Sequence, residues 1–380
     1  MKPKKLALSL SGNIVHYRNI VDGLGEFLQH HPEWELQWQD QNLFWNSPQV
    51  WNCGADAVVC GVIQESERES VKKFRGEVIC VSNRARETRL HSVVVDDREV
   101  GRLAGRYLCG LGFRRLVTIS ENPYFYFQQA RFAGLQEIVD NTPGTTAQTF
   151  NPWDYGGYEG LVRHLQAGIT PPFAIYCVTD MPAVRIAMAA MALGLRIPEE
   201  AALLGTDNSL LLCQFSRPRL SSIELNGFAL GQRVGELLTE LSQSPAPSPL
   251  RIEMPPLGVV SRRSTDITAL DDPRLAKALS WIREHKGKDM DVDQVAAHAG
   301  VSRRLLELRF KEILGRSPYQ EILRLRMDHA RELLLRTDWP IGRIAEEAGF
   351  EEIRTFNTAF RRETGMTPKQ WRENTGGVPV

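Results

Sequence analysis

The sequence predicts an α/β part with two lobes, followed by an all-α domain with two helix-turn-helix motifs. Two observations carry this prediction. Over residues 1–260, short apolar runs alternate with helical stretches, a pattern typical of βαβ units with parallel sheets. From Arg274 onward the strand-like runs disappear, and one helical pattern occurs twice. A chain of 380 residues is also long enough for two or three domains.

The strands of the first part are continuous apolar runs, as expected when helices cover both faces of a parallel sheet. They include KLALSL, ADAVVCGV, VICVS, SVVVDD, RRLVTIS, FAIYCVT and AALLGTD. Amphipathic segments separate them, and the first of these runs from about Tyr17 to His30. The number of elements suits two α/β lobes better than a single sheet.

Polar segments that contain proline mark the boundary between the two parts. SQSPAPSPL at 242–250 is predicted to be a loop, because proline fixes φ and removes a backbone donor. TALDDPR at 268–274 contains Pro273, which is placed to begin a helix. We therefore divide the chain into an effector domain at 1–265, a linker at 266–274 and a helical domain at 275–380.

The formal net charge is zero, but it is unevenly distributed. Residues 274–380 contain 20 Lys and Arg against 16 Asp and Glu, whereas residues 1–273 contain 26 against 30. Such asymmetry is suggestive of an end that faces nucleic acid. The six cysteines form no CxxC pair, which favours reduced, buried thiols. We interpret the basic start MKPKKLALSL as a strand and find no apolar span, so a cytoplasmic location is expected.

The sequence does not favour an enzyme. It contains no HExxH, GxSxG or GxxxxGK[ST] motif. The adjacent carboxylates Asp96 and Asp97 would point apart in a strand, which is poor geometry for an acid–base pair. We expect no catalytic residue, metal or cofactor. A solute-binding protein of a transporter is a further, less favoured alternative.

The helical part contains an internal repeat with the form of a helix-turn-helix. The copies are VDQVAAHAGVSRRLLELRFKEILGRSPYQ and IGRIAEEAGFEEIRTFNTAFRRETGMTPKQW. Each has a short helix, an Ala-Gly turn and a second helix. We predict that Val295, Leu306 and Phe310 are core residues in the first copy, as are Ile344 and Phe360 in the second.

The second helix of each copy carries residues that point away from this core. They are Arg303, Arg304, Glu307 and Leu308 in the first copy, and Arg354, Asn357 and Thr358 in the second. A helix in the major groove reads bases with such residues, since Arg suits guanine and Asn suits adenine. A solvated charged face is the alternative for one helix, but two copies at fixed spacing favour double-stranded DNA as a partner.

A long amphipathic segment at 318–337 lies between the copies and is predicted to hold the two motifs apart. A single chain could then read two successive major grooves, which lie roughly 34 Å apart along a duplex. Arg324, Arg326 and Arg361 are candidate phosphate contacts, although ordinary surface arginines would have the same sequence pattern.

Residues 275–374, with the signature IGRIAEEAGFEEIRTFNTAFRRETGMTPKQWR, resemble the AraC-type DNA-binding domain. The resemblance implies that the second helix of each motif enters the major groove. It places the base-reading positions at Arg304, Glu307, Leu308, Arg354, Asn357 and Thr358. Leu308 departs from the polar residue often found there, and either contacts a thymine methyl or reads no base.

Polar residues at the predicted strand ends are candidates for binding a small ligand, because ligands of open α/β sheets bind beyond the carboxyl ends of the strands. Carboxylates and arginine suit a hydroxyl-rich molecule. The candidates are Asn13, Asp96, Arg131, Thr179 and Asp207. Any aspartate among them that precedes a helix can equally be an N-cap.

The segments VVVDDREVGRLAGRYLCGLGFRRLVTIS, QARFAGLQE and VTDMPAVRIAMAAMALGLRIPEEAALLGTDN resemble the effector domain of the lactose-repressor family, which is related to periplasmic sugar-binding proteins. The resemblance covers roughly residues 5–260 and implies that Arg131 and Asp207 contact a sugar. Thr179 and Leu225 depart from the family pattern. That family begins with its own helix-turn-helix, whereas this sequence starts at a strand, so DNA binding is expected at the C-terminal end.

The two parts together, joined through RRSTDITALDDP, resemble the xylose-operon activators. This resemblance implies D-xylose as the effector and activation of pentose-utilisation genes. A homodimer is expected on the same grounds, with RNA polymerase as a further partner. The alternatives are a different monosaccharide as the effector, or repression instead of activation.

Overall fold

The computed structural model describes residues 2–11, 14–37, 48–61, 68–84, 90–244, 246–266, 272–285, 290–314, 316–364 and 366–374. Within these ranges, two six-stranded sheets with flanking helices precede a part in which only helices are found. The predicted succession of a two-lobed α/β part and an all-α part is confirmed. Most of the predicted linker, 267–271, lies outside the described residues.

The first lobe contains a sheet in which all strands are parallel. Its strand order is β11-β5-β4-β3-β1-β2. The strands are β1 Lys4–Ser9, β2 Trp34–Leu36, β3 Ala57–Cys60, β4 Glu77–Cys80, β5 His91–Val95 and β11 Arg251–Met254. The helices of this lobe are α1 Val15–His30, α2 Arg68–Lys73 and α8 Gly227–Gln243.

The second lobe contains a sheet of order β12-β10-β9-β8-β6-β7, in which only β12 is antiparallel to its neighbour within the described ranges. Its strands are β6 Arg115–Ile119, β7 Thr146–Phe150, β8 Phe173–Cys177, β9 Ala201–Thr206, β10 Ser221–Glu224 and β12 Gly258–Val260. Its helices are α3 Asp97–Gly110, α4 Tyr126–Asp140, α5 Tyr158–Gly168, α6 Asp180–Leu193 and α7 Leu210–Phe215. Every residue of β8 and β9 is buried, which explains their apolar sequences.

The chain crosses between the lobes three times, after β5, after β10 and after β11. The third crossing, residues 255–257, joins β11 of the first lobe to β12 of the second. Because the strands before the first two crossings are parallel members of their sheets, their carboxyl ends face the junction between the lobes. That junction is where the topology places a ligand.

Glycine allows α3 and α4 of the second lobe to approach closely. A Cβ at Gly134 would lie 1.9 Å from the Arg98 carbonyl oxygen, and one at Gly101 would lie 1.8 Å from the Arg131 carbonyl oxygen. Backbone atoms cannot yield as a flexible side chain can, so neither position has space for a side chain. This close contact sets the position of Arg131 relative to α3.

Gly134→Ala is expected to destabilise the protein by about 1–3 kcal/mol, because the added methyl overpacks the α3–α4 contact. Gly25→Ala is the matched control, since Gly25 lies inside α1 with no heavy atom within 4 Å of an added Cβ. It should stabilise the protein by about 0.5–1 kcal/mol through higher helix propensity. Urea unfolding of both variants measures the difference. Equal effects would contradict this account of the packing.

The helical part comprises α9 Pro273–Glu284, α10 Val292–Ala299, α11 Arg303–Leu314, α12 Pro318–Arg336, α13 Ile341–Glu347, α14 Ile353–Thr364 and α15 Pro368–Asn374. The turns of the two copies contain Gly300 and Gly349, which have φ of 70° and 83°. Glycine is favoured in left-handed backbone of this kind. The glycine of the Ala-Gly pair therefore marked the turn of each copy in the sequence. The hydroxyls of Ser317 and Thr367 accept bonds from the amides of Gln320 and Gln370, each at 3.2 Å.

Each helix-turn-helix has its own apolar core. Val295, Leu306 and Phe310 are buried in the first, and Ile344 and Phe360 in the second. These core predictions are confirmed. Since Leu306 and Phe310 fix the inward face of α11, the opposite face of that helix is directed to solvent.

Candidate ligand cavity and nucleic-acid interface

A cavity of about 300 Å³ lies at the junction of the two lobes. The first lobe contributes the start of α1 and the ends of β4 and β5, and the second contributes α3, α4 and the residues that follow β8, β9 and β10. This volume is at the lower end of the range for small-molecule pockets. The cavity suits a compact ligand.

Backbone hydrogen bonds join the lobes beside this cavity. The amides of Tyr126 and Phe127 in the second lobe donate to the carbonyls of Arg84 and Asn83 in the first, each at 3.0 Å. The Arg84 guanidinium lies 4.6 Å from the centre of the Phe125 ring. These contacts hold the two walls of the cavity together.

Arg131 is the central basic group of the cavity and is fixed by several partners. Its Nε donates to Asp97 Oδ1 at 2.7 Å, and its Nη1 donates to the Val178 carbonyl. Asn83 Nδ2 donates to the other oxygen of Asp97 at 2.6 Å. Burial raises the pKa of Asp97, and the charge of Arg131 opposes that increase. A guanidinium has five donors, so Arg131 can bind a ligand oxygen while it remains paired.

Asp207 lies directly after β9 and has φ of 103°, a left-handed conformation that is unfavourable for a residue with a side chain. Strained residues of this kind concentrate at ligand sites. Its carboxylate has no hydrogen-bond partner in the part of the chain that the structure describes. Burial, together with the charge of Asp180, raises the pKa of Asp207 well above its usual value, and Arg131 opposes the increase. This carboxylate is therefore available to a ligand hydroxyl.

The other predicted ligand residues have different positions. Thr179 lines the cavity at the start of α6, and its side chain makes no capping bond. Asp96 has the alternative role that the sequence left open, since its Oδ1 accepts the Glu99 amide at 2.9 Å and caps α3, while Asp97 lines the cavity. Asn13 lies outside the described residues.

Asp180 has a structural role. Its two carboxylate oxygens accept from the Ser209 amide at 2.7 Å and the Ser222 hydroxyl at 2.6 Å. Burial raises its pKa to about 6, although these hydrogen bonds oppose the increase. The bonds fix the loop after β9 against β10 and so support Asp207.

His16 and Phe127 also line the cavity, and the sequence reading missed both. Burial, together with the charge of Arg131, lowers the pKa of His16 to about 3, so its imidazole is neutral at pH 7 and can both donate and accept. The Phe127 ring lies 5.2 Å from the Arg131 guanidinium. Its spacing of four residues before Arg131 was a usable signal, because such helical neighbours share a face. Leu225, where the family pattern has a polar residue, is buried in the cavity wall.

A second polar group lies beside the crossing that follows β10. Arg262 Nη2 donates to Asn208 Oδ1 at 2.6 Å, and Asn208 Nδ2 donates to Glu224 Oε2 at 2.9 Å. Burial raises the pKa of Glu224 from 4.5 to about 7, against the effects of Asn208 and Arg262. Glu224 therefore changes protonation near neutral pH.

This shift predicts a pH dependence of stability. A carboxyl group whose pKa is higher in the folded state stabilises it fully below about pH 4.5 and loses that contribution as pH rises through about 7. Glu224→Gln mimics the protonated form, so its melting temperature should change less than that of the parent between pH 6 and pH 8. Exposed Glu199→Gln is the control and should keep the parent's pH dependence. An unchanged profile for Glu224→Gln would contradict the assignment.

The predicted base-reading residues lie on the solvent face of α11 and α14. Arg304 and Arg354 are exposed, and neither side chain makes a hydrogen bond or ion pair within the described ranges. Arg303 donates to Asp293 at 2.9 Å and to Glu307 at 3.0 Å. Two of the predicted base-reading residues, Arg303 and Glu307, are therefore paired with each other. Surface pairs of this kind are weak and can exchange for a phosphate.

The remaining residues of this face differ in exposure. Leu308 is exposed and Asn357 is half-buried. Thr358 is exposed and donates its hydroxyl to the Arg354 carbonyl at 3.0 Å.

Arg324 does not face outward as a phosphate contact would. It donates to Glu321 Oε1 at 2.7 Å and to Asp328 Oδ2 at 3.0 Å, on the side of α12 next to Tyr107 of the effector domain. Arg316 shares the buried Glu321 and donates to the Gly110 carbonyl at 2.9 Å. This proposed phosphate contact was wrong, since the residue belongs to the contact between the two parts of the protein.

The other two candidate phosphate contacts, Arg326 and Arg361, have different surroundings. Arg326 lies with its guanidinium 5.8 Å from the centre of the Phe350 ring, within the second helix-turn-helix. Arg361 is exposed on α14.

The third lobe crossing is also in contact with the helical part. Leu257 packs against the apolar core of the second helix-turn-helix, which includes Met327 and Trp371. Arg331 of α12 lies beside the residue that follows this crossing, because its Nη1 would lie 3.4 Å from a Cβ at Gly258. A segment that joins the two lobes thus packs against the core of the second motif.

The described ranges contain no helix that combines the length and the apolar character of a membrane span. They also contain no group of three or more His, Cys, Asp or Glu side chains arranged to hold a metal ion.

Two family models match the chain, a periplasmic binding protein-like domain at residues 105–265 and a helix-turn-helix domain at residues 295–374. The xylose operon regulatory protein of Escherichia coli K12 is 26% identical, and the match covers 98% of this chain and 97% of that protein. Its counterpart in Haemophilus influenzae is also 26% identical, over 97% and 98% of the two chains. The chain is a transcription regulator.

Solved structures agree with this assignment. A structure described as the xylose-binding transcription activator xylR has a TM-score of 0.62 and 25% identity, over 98% of each chain. A LacI-family regulator from Enterococcus faecium with bound ribose has a TM-score of 0.56 and 20% identity, over 70% of this chain and all of that one, and shows the fold of the effector part. The relatives are regulators, so the expectation that the chain is not an enzyme is confirmed, as is its resemblance to the xylose-operon activators.

Proposed function

We propose that this regulator binds D-xylose and, in response, activates genes for the use of that pentose. The observation that carries the proposal is the similarity over nearly the whole chain to xylose operon regulatory proteins and to the xylose-binding activator structure. The small cavity with Arg131, Asp97 and Asp207 is consistent with a compact, hydroxyl-rich ligand. A different monosaccharide in the same cavity is the alternative.

The proposed sugar contacts are Arg131, Thr179 and Asp207, with Asp97 in place of Asp96. His16 is added as a neutral donor and acceptor. Asn13 remains in the proposal because its neighbours Ile14 and Val15 line the cavity.

A thermal-shift screen of the full chain tests the effector. D-xylose, L-arabinose, D-ribose and D-glucose are compared, because a ligand that binds only the folded state raises the melting temperature in proportion to RT ln(1 + [L]/Kd). We expect the largest shift with D-xylose. A larger shift with another sugar would replace the effector, and no shift with any sugar would remove the sugar from the proposed function.

For DNA, we propose that α11 and α14 enter successive major grooves of an operator. Arg304 and Arg354 then read guanine, and Asn357 reads adenine. Arg303, Glu307, Leu308 and Thr358 complete the contact set. The proposed units remain the effector domain at 1–265, the linker at 266–274 and the DNA-binding domain at 275–380.

The route from sugar to DNA is proposed to pass through the third lobe crossing. A sugar can change the affinity for DNA only if it binds two arrangements of the protein with different affinities. Closure of the lobes alters the angle between β11 and β12, and Leu257 between them is packed into the second helix-turn-helix. The two helix-turn-helix motifs would then be oriented differently toward DNA with and without sugar.

A homodimer is proposed to form through the second lobe. Large apolar side chains are exposed on α6 and on α7, two helices in contact with each other, with exposed fractions between 54% and 78%. They are Met188, Met191, Leu210, Leu211 and Phe215. Apolar patches of this kind mark interaction surfaces, and a two-fold interface uses the same patch on both copies. Sedimentation of Met188→Lys should show a monomer where the parent is a dimer.

The sign of regulation is proposed to be activation, with RNA polymerase as the partner in the cytoplasm. Transcription in vitro from a bound promoter, with and without D-xylose, tests it. A decrease in transcript on addition of the protein would favour the repressor alternative.

A further inference from the structure

The side chain of Asn83 is bonded to three segments of the chain beside the ligand cavity. Its Nδ2 donates to the Val95 carbonyl at 2.7 Å and to Asp97 Oδ2 at 2.6 Å, and its Oδ1 accepts from Arg251 Nη2 at 2.8 Å. This orientation of the amide follows from its partners, because arginine can only donate, whereas a carbonyl and a carboxylate accept. Both amide hydrogens are thereby used, so Asn83 affects a ligand through its partners and not by donating to it.

Asn83 holds the buried ion pair of the cavity. The side chains of Asp97 and Arg131 are 2% and 5% exposed, and the two oxygens of Asp97 are divided between Arg131 and Asn83. Burial raises the pKa of Asp97, while the charge of Arg131 and the hydrogen bond from Asn83 oppose the increase. The bond from Asn83 therefore helps to keep this carboxylate ionised and fixes the direction in which it holds the guanidinium of Arg131.

Arg251 connects Asn83 to the third lobe crossing. It is the first residue of β11, which ends at Met254 and leads directly into that crossing. The end of the same strand is bonded to the residue before α3, since the Asp96 amide donates to the Met254 carbonyl at 2.8 Å. Leu257, at the end of the crossing, packs against the core of the second helix-turn-helix. A series of contacts thus leads from the buried ion pair to the DNA-binding part.

We propose that Asn83 is a positioning residue, which aims the Asp97–Arg131 pair at the sugar and, through Arg251, links the pair to β11. The inference rests on the proposed function and supplies the sugar end of its route to DNA. A sugar that draws the guanidinium of Arg131 toward itself moves Asp97, and the bonds of Asn83 pass that movement to the start of β11. Because such coupling is reciprocal, bound DNA should change the affinity for sugar by the same factor as sugar changes the affinity for DNA.

Two substitutions break this series of contacts on opposite sides of Asn83. Asn83→Asp keeps the shape and an oxygen that accepts from Arg251, but it loses the donors and places a second carboxylate against Asp97. Affinity for D-xylose should fall roughly tenfold or more, the usual effect of losing a hydrogen bond to a charged group. Arg251→Met leaves the bonds from Asn83 to Val95 and Asp97 in place. Its affinity for D-xylose should stay close to that of the parent, while the effect of sugar on DNA affinity should be largely lost.

Titration calorimetry of the full chain with D-xylose measures the first effect. Fluorescence anisotropy measures the second, with a duplex that the full chain selects from a random library, in the presence and absence of D-xylose. Arg163→Met is the matched control, because it makes the same chemical change at an arginine of α5 whose side chain is 64% exposed. It should match the parent in both measurements.

Parent-like sugar affinity in Asn83→Asp would overturn the inference, as would a full response of DNA binding to sugar in Arg251→Met. An equal loss of sugar affinity in both variants would also overturn it, because Arg251 would then support the cavity itself. Should Asn83→Asp fail to fold, the response of Arg251→Met to sugar still decides the outcome. A parent that does not bind D-xylose would overturn the proposed effector and the inference together.

Discussion

Asp207→Asn should weaken sugar binding by about 10- to 100-fold, because a carboxylate that accepts from a ligand hydroxyl contributes about 1.5–3 kcal/mol. The fold should be retained, since asparagine adopts the left-handed conformation of this residue more readily than most residues. Within the described residues the carboxylate has no partner to lose. Without sugar, the variant should melt at a higher temperature, because a charge that burial disfavours has been removed.

Titration calorimetry with the best sugar of the screen measures this effect, and thermal unfolding measures the change in stability. Asp154→Asn makes the same chemical change at an exposed residue outside the cavity and should alter neither quantity. Parent-like sugar affinity in Asp207→Asn would show that the ligand does not contact this carboxylate, and the proposed pose would have to change.

Leu257→Ala should uncouple sugar binding from DNA binding. The side chain packs against the core of the second helix-turn-helix and is absent from the lining of the sugar cavity. Sugar affinity should therefore be close to that of the parent. An effector typically changes the affinity of a coupled protein for its second ligand by about 5- to 150-fold. In Leu257→Ala, the change in DNA affinity on addition of sugar should fall to a small fraction of the parent's value.

Fluorescence anisotropy with a duplex selected from a random library by the full chain, measured with and without sugar, gives the coupling. Leu250→Ala is the matched control, because Leu250 precedes the same strand, β11, but is not part of the core of the second motif. It should retain the full sugar response. If Leu257→Ala also retains it, coupling runs through another contact, such as Arg316 with the Gly110 carbonyl.

The elements of the fold follow from patterns that act over a few residues. The glycines at the turns of both motifs, the capping residues before α12 and α15, and the apolar spacing of Leu306 and Phe310 each act within one or two helical turns. A single sequence displays such patterns directly. They were sufficient to predict the helix-turn-helix repeat and its cores.

The ligand residues were harder to choose, because adjacent residues of like chemistry differ in what they contact. Asp96 and Asp97 both follow β5, and only the start of α3 decides which one caps the helix and which one faces Arg131. His16 was missed because its place in the cavity depends on contact with the second lobe, whose cavity residues begin with Asp97, 81 positions further along the sequence.

The sequence by itself determined the class of each part, the repeat, the polarity of the outward helix faces and the family resemblance. Only the tertiary structure decided that Arg324 faces the effector domain and that Leu257 packs against the core of the second motif. The physical reason is the range of the contacts: the hydrogen bond from Arg316 to the Gly110 carbonyl joins residues 206 positions apart. Periodicity and capping act locally, and they carry no information about which distant surface an exposed arginine or leucine will meet.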